Sequence, residues 1–149
     1  SAFPKEKIIG IDLSDSYLKE ASRHISNLEG DLIELVKGNA ENLPFADNSI
    51  QAVSCVYLFH ELPRTVRENV LNEFFRVLEP GGVLVLADSI QIADSPNFIS
   101  IMEGFYKNFH EPFYCDYIKD DINLKMQDIG FSNIKNESFF MTKVWSAIK

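Results

Sequence analysis

Four short apolar runs, each ending at a polar or turn residue and separated by helix-patterned stretches, leave this chain few folds to adopt. Ile8-Ile9-Gly10-Ile11 ends in Asp12, Leu32–Val36 runs into Gly38-Asn39-Ala40, Ala52–Val56 leads to Tyr57, and Val83–Ala87 ends in Asp88. Ile8–Ile11 is too short for a helix and apolar on both faces, as a central parallel strand is; Leu32–Val36 reads as a second strand, Ala52–Val56 as a third, buried one, and Val83–Ala87 as the most hydrophobic. Ser14, Asp15 and Ser16 offer capping oxygens to a helix carrying Leu18, Ala21, Ile25 and Leu28. Pro63 opens a second helix with the stripe Val66, Val70, Phe74, Val77 and Leu78, which Pro80-Gly81-Gly82 is expected to stop. This order predicts an α/β fold with right-handed crossovers and a largely parallel sheet.

The texture changes after Asp88. Pro96 to Phe109 reads as an aromatic-rich helix carrying Phe98, Met102, Phe105, Tyr106 and Phe109, followed by a proline-broken loop at Glu111–Tyr114. Asp116 is expected to cap a helix through Ile118, Ile122, Met126 and Ile129 that Gly130 closes. Two extended segments, 132–140 and 142–148, suit an antiparallel hairpin. No repeat or linker interrupts residues 1–149, so a single domain is expected.

Composition narrows the partners. With 14 Lys+Arg against 22 Asp+Glu and a net charge of -8, the chain lacks the basic footprint that nucleic acid or an anionic membrane requires. A 46% hydrophobic, 24% charged composition is that of a folded domain. No apolar run is long enough for a membrane span, and Ser1 to Lys7 carries no signal-peptide core. The two cysteines, Cys55 and Cys115, have no neighbours at metal spacing, so no zinc site is expected; Cys55 reads as a buried inert thiol. A reducing cytoplasm is the expected location.

In open α/β sheets the ligand lies beyond the carboxyl ends of the strands. Asp12 stands at one such end, where a carboxylate can accept hydrogen bonds from both hydroxyls of a ribose; the alternative is a helix-capping or surface acid. Asn39 with Ala40 stands at the next, where a side-chain amide beside a backbone N–H can pair with an adenine edge; the alternative is a turn asparagine. Val56 and Tyr57 end the third strand, where backbone carbonyls can reach a ligand.

The segments "IIGIDLSDSYLKEA", "GNAENLPFADNSIQAV", "LFHELP" and "FFRVLEPGGVLVLADS" stand in the order and spacing of class I S-adenosylmethionine-dependent methyltransferases. The chain resembles most the ubiquinone/menaquinone-biosynthesis-type branch, over about Ile8 to Asp88. The resemblance implies a Rossmann-like, doubly wound sheet, S-adenosylmethionine as cofactor and a small-molecule methyl acceptor. It also implies that Asp12 holds the cofactor ribose, Leu13 packs on the adenine, Asn39 receives the adenine amino group and Ala40 donates a backbone N–H to the ring. Val56 falls near the methionine portion, where only its backbone can serve. Asn39 departs from the usual aspartate, so its oxygen accepts without charge assistance.

A larger departure is the glycine-rich loop after a first strand, which this family places against the methionine end of the cofactor. None of the seven glycines forms such a run. The chain is therefore expected to begin one β-α unit late, without the central strand. The open edges at Ile8–Ile11 and Ala52–Val56 should then pair directly or recruit a strand from another copy, giving a homodimer. Residues 1–149 alone are expected to bind S-adenosylmethionine weakly or not at all.

Sulfonium methyl transfer relies heavily on positioning and needs a base only where the acceptor must lose a proton. His60, at the mouth after the third strand, is the expected base, its alternative being a loop histidine that caps the next helix. Tyr106, His110 and Tyr114 are the expected acceptor contacts within a cover spanning Pro96–Tyr117, with core packing as the alternative. Glu61 and Arg64 read as solvated charge. Two other functions remain open at this level. A nicotinamide dehydrogenase would also use Asp12 on a ribose, although no G-x-G-x-x-G turn is present. A non-catalytic binding or scaffold remnant of the methyltransferase fold fits the missing glycine loop and Asn39.

Overall fold

A computed structural model describes residues 6–25 and 32–149, with the side chains of 105–109 left out. The chain divides into two compact units, Ser1–Pro44 and Phe45–Lys149.

In the first unit, β1 (Ile8–Asp12) and β2 (Ile33–Lys37) pair in parallel, with Ile8 opposite Ile33 and Asp12 opposite Lys37. The connecting α1 (Asp15–Ile25) begins where the hydroxyls predict it. Ser14 caps it, its Oγ accepting from the Tyr17 N–H at 3.4 Å and its carbonyl from the Leu18 N–H at 3.1 Å. Leu28, the last residue of the expected stripe, lies outside the described residues.

The second unit holds β3 (Ile50–Val56), β4 (Leu78–Ser89), β5 (Ser132–Phe139) and β6 (Thr142–Ile148) in the order β3-β4-β6-β5. β3 and β4 run parallel, whereas β6 pairs antiparallel with both β4 and β5, so the expected terminal hairpin is present. Four helices accompany this sheet: α2 (Arg64–Val77), α3 (Ile99–Phe109), α4 (Tyr114–Tyr117) and α5 (Ile122–Ile129). Leu84 and Leu86 of β4, Trp145 and Ala147 of β6, and Val70, Leu71 and Phe74 of α2 form the core. Each buried leucine contributes roughly 1.5–3 kcal/mol. Val83 and Val85, on the alternate face of β4, remain exposed, so this strand is covered on one face rather than on both.

Two expectations are corrected. The second helix ends at Val77, before the Pro-Gly-Gly run, and β4 already begins at Leu78. Pro80 disfavours helical backbone at Glu79, and the chain is already extended one residue earlier, at Leu78, with ψ 137°. The glycines serve the strand entrance instead. Gly81 adopts φ 85°, and a Cβ on Gly82 would come within 2.8 Å of the Glu79 carbonyl and 3.1 Å of the Gln51 carbonyl. The last helix is capped by Asp121, which accepts from the Leu124 N–H at 3.0 Å, and not by Asp116. Asp116 lies inside α4, before the chain turns into the last helix, and pairs with Arg64 and Arg67. Among the described residues β1 belongs to a two-stranded sheet and β3 to a four-stranded one.

Each of these strands therefore has an open edge. The Tyr57 N–H donates to the Ala87 carbonyl at 2.8 Å. Backbone direction alternates along a strand, so the amides of Ala52, Ser54 and Val56 point to the side without a ladder partner. On β1, Ile8 donates to Leu32 and Asp12 accepts from Gly38, which turns the amides of Ile9 and Ile11 outward.

Candidate functional site

In the first unit the expected cofactor residues stand at the carboxyl ends of two adjacent parallel strands. Asp12 Oδ1 accepts the Ser14 N–H at 2.7 Å, which orients the half-buried carboxylate. Leu13, the next residue, exposes 67% of its surface, an apolar side chain left beside that carboxylate. Asn39 is a turn residue: its Oδ1 accepts the Glu41 N–H at 3.0 Å and its carbonyl the Asn42 N–H at 3.0 Å. An amide oxygen has two lone pairs, so the turn leaves Asn39 one acceptor site. Ala40 follows within that turn.

In the second unit β3 delivers Val56, Tyr57 and His60 in quick succession. Val56 ends the strand, 60% exposed, with its backbone groups on the open edge. Tyr57 leaves the strand with φ 51°, a left-handed backbone unusual for an aromatic residue, and its hydroxyl meets Thr142 Oγ1. A 3-10 turn, Phe59–Glu61, then places His60 over the end of β4.

There His60 Nδ1 lies 2.7 Å from Asp88 Oδ1. Asp88 is fully buried; its Oδ2 accepts the Phe59 N–H at 2.8 Å and its Oδ1 the Ser89 N–H at 2.7 Å. Burial alone would pull the imidazole pKa down. The Asp88 hydrogen bond and charge, joined by Glu61 and Glu111, outweigh it, so His60 titrates above the ordinary 6.5. Tyr57, Tyr114 and Tyr117 surround the ring, each at about 6 Å between centroids and near edge-on. Tyr114 hydrogen-bonds Ser89 Oγ at 2.7 Å and Tyr117 donates to the Ser89 carbonyl at 2.5 Å. The arrangement is a histidine clamped on one nitrogen by a buried carboxylate and walled by three phenol rings. Its side chain retains 14% exposure, enough for small groups to reach it.

Sequence reasoning placed Asp88 at a strand end without giving it this role. The pair forms because β3 and β4 lie in register, Val56 opposite Ala87, and the acid that ends one strand meets the turn that follows the other. An acid after the last strand and a histidine after the preceding one is the signal that was available.

The expected acceptor residues divide. Tyr114 is buried and joined to His60. His110 is exposed at the end of α3, where it adopts φ 57°. Tyr106 lies on α3 within 105–109, outside the described side chains. Arg64, read as solvated charge, is half exposed and bonds the half-exposed Asp116 through Nη2 at 2.8 Å. Cys55 is buried as expected, and burial followed by the Asp88 charge pushes its thiol up to about 12, which leaves it unreactive.

Comparison with known proteins places this geometry. The methyltransferase domain family matches residues 1–82, more than half of the chain. A demethylmenaquinone methyltransferase of Listeria monocytogenes serotype 4a (strain HCC23) is 31% identical over 104 residues, which are 70% of this chain and 43% of that protein. Its counterpart in Oceanobacillus iheyensis is 33% identical over 103 residues, 69% of this chain and 41% of that protein. The chain thus spans less than half the length of these relatives. Among solved structures, a SAM-dependent methyltransferase from Aquifex aeolicus superimposes with a TM-score of 0.70 at 19% identity, covering 97% of this chain and 70% of that one. Phosphoethanolamine N-methyltransferase 2 of Haemonchus contortus, bound to S-adenosyl-L-methionine, gives 0.75 at 14% identity, over 96% of this chain and 43% of that one. The fold is the Rossmann-like α/β fold of these enzymes, and the chain belongs to the class I S-adenosylmethionine-dependent methyltransferases, not to the nicotinamide dehydrogenases.

Proposed function

We propose that this chain takes part in transferring a methyl group from S-adenosylmethionine to a small-molecule acceptor, with His60 as the base that removes the acceptor's proton. The observation that carries the reading is the His60–Asp88 pair at the carboxyl end of parallel strands. The first unit fits the adenosine half of the cofactor. An oriented carboxylate at Asp12 suits a ribose diol, and exposed Leu13 offers an apolar face to a flat base. Asn39 and Ala40 supply an oxygen and a backbone N–H to the ring edge. Val56 and Tyr57 offer backbone groups to the remainder of the cofactor. When bound, S-adenosylmethionine supplies an electrophilic methyl group whose carbon–sulfur bond breaks with the electron pair left on sulfur.

Tyr114 and Tyr117 hold the His60 ring in place, and the α3 region, including Tyr106 and His110, forms the cover over the acceptor. The quinone of the curated relatives, in its reduced demethylated form, is the first acceptor to test. No described helix is long and apolar enough to cross a membrane, and two free thiols suit the cytoplasm we propose for it.

Calorimetric titration of the complete gene product with S-adenosylmethionine and S-adenosylhomocysteine tests the reading. Saturable heat and a raised melting temperature are expected for both, weakened by Asp12→Ala. Neither heat nor stabilisation at millimolar ligand would sink it.

The open edges of β1 and β3 support a second proposal, confined to residues 1–149 alone. An edge strand with outward amides takes on further strands. A glycine-bearing strand and loop from outside these residues would serve, and in its absence another copy would. Sedimentation of the 149-residue chain should show concentration-dependent association together with poor cofactor binding. A strict monomer with micromolar affinity would refute this.

A further inference from the structure

The His60–Asp88 pair constrains which nitrogen does the chemistry. Asp88 presents two oxygens, and the geometry gives both of them donors: the backbone N–H groups of Phe59 and Ser89, and the Nδ1 side of His60. An ionised carboxylate only accepts, so Nδ1 must carry the hydrogen of the neutral ring, and the lone pair is forced onto Nε2. We propose that Asp88 is the positioning residue of this site: it locks neutral His60 in the Nδ1–H tautomer and so makes Nε2 the atom that takes the acceptor's proton. The proposal rests on the reading of His60 as base and deepens it.

Every neighbour is consistent with a fixed ring. Asp88 holds it from β4, Tyr57 from the end of β3, and Tyr114 and Tyr117 from α4, while Glu61 and Glu111 add negative charge from the flanking turn and loop. Tyr114 and Tyr117 in turn hydrogen-bond Ser89, the residue after Asp88, so ring and carboxylate share one support.

The step balances simply. The acceptor's O–H bond breaks, its proton forms the new N–H bond at Nε2, and the electron pair stays on the acceptor as the nucleophile; where that pair attacks through a ring carbon, the C–H bond there breaks afterwards, its proton leaves to solvent and its electron pair restores the aromatic ring. The imidazolium that results is stabilised by Asp88 and returns the proton to solvent through the exposed fraction of the ring. Such a base has a task only where the nucleophile arrives protonated. An imidazole base is better matched to a phenolic or enolic hydroxyl, a phenol having a pKa of about 10, than to an alcohol.

The test reads tautomers directly. Long-range proton–nitrogen correlation spectra of the complete gene product distinguish Nδ1–H from Nε2–H, and His60→Gln assigns the signal among three histidines. Above its titration midpoint, wild-type His60 is expected as the Nδ1–H tautomer. In Asp88→Asn, the amide donates toward Nδ1, the ring flips to Nε2–H, and the midpoint falls. Turnover of reduced demethylmenaquinone, read by S-adenosylhomocysteine release, should drop by at least about 100-fold with cofactor affinity unchanged. A wild-type Nε2–H tautomer overturns the proposal without any variant needing to fold. A flip in Asp88→Asn with unchanged turnover overturns the reading of His60 as base and leaves Asp88 a purely structural clamp.

Discussion

His60→Ala should lower turnover by about 100- to 10,000-fold, the usual contribution of a positioned general base. Cofactor affinity should stay within a few-fold, because the residues assigned to the adenosine are Asp12, Leu13, Asn39 and Ala40. The measurement is initial-rate kinetics of the complete gene product across pH, beside calorimetric binding of S-adenosylhomocysteine. Wild-type turnover should rise with pH through a value above 6.5, since only the neutral ring accepts a proton and Asp88 holds the charged form. Stability should run the other way. A histidine whose folded pKa is raised contributes fully below 6.5, and that contribution is lost as pH rises through the folded value. His60→Ala should remove both slopes together. A variant that loses stability but keeps its pH–rate profile would assign His60 to packing.

Arg67→Ala should destabilise the second unit by about 1.5–3 kcal/mol, because it takes from a buried carboxylate its fully buried hydrogen-bond donor. Arg67 is fully buried on α2; its Nε donates to Asp120 Oδ2 at 2.8 Å, its Nη1 to the Leu62 carbonyl at 2.6 Å and its Nη2 to Asp116. Asp120 is itself 2% exposed. Lys125 and Arg64 pair with its other oxygen at 3.3 and 3.4 Å, so the carboxylate keeps two cationic partners when Arg67 is removed. Arg64→Ala, half exposed, should cost only about 0–1 kcal/mol. Urea midpoints of the two variants separate these cases. The pH dependence carries a second signature. The Arg64 hydrogen bond, aided by Arg67 against partial burial, holds Asp116 below its ordinary 3.8. That stabilisation is present above 3.8 and fades as pH falls through the folded value, so wild type and Arg64→Ala should converge in acid.

These two sites show where sequence reasoning reached and where it stopped. Ile8–Ile11 and Val83–Ala87 announce themselves because a short β-branched run cannot be a helix, and the strand-end rule then points to Asp12 and His60. The cap of the last helix could not be read the same way. Asp116 and Asp121 are both acids ahead of an apolar stripe, and the break between α4 and α5 decides which one caps: Asp116 lies inside α4, whereas Asp121 directly precedes α5. The role of Asp88 was hidden for a related reason: its partner lies 28 residues away in sequence, and the contact exists only once β3 and β4 are in register. Local pattern encodes elements, whereas ion pairs between elements are set by packing.

The outward amides of β3 make that edge blind to side-chain identity. What a joining strand would meet at Ala52, Ser54 and Val56 is backbone alone, so most substitutions there alter fit without closing the edge. Proline is the exception, since it lacks the proton that defines a donor. At 52, 54 or 56 it would silence one outward group and spare the hydrogen bonds to β4; at Val53 or Cys55 it would cut into the existing ladder. Evolution and engineering alike therefore have three positions at which this strand can be made a terminus of the sheet.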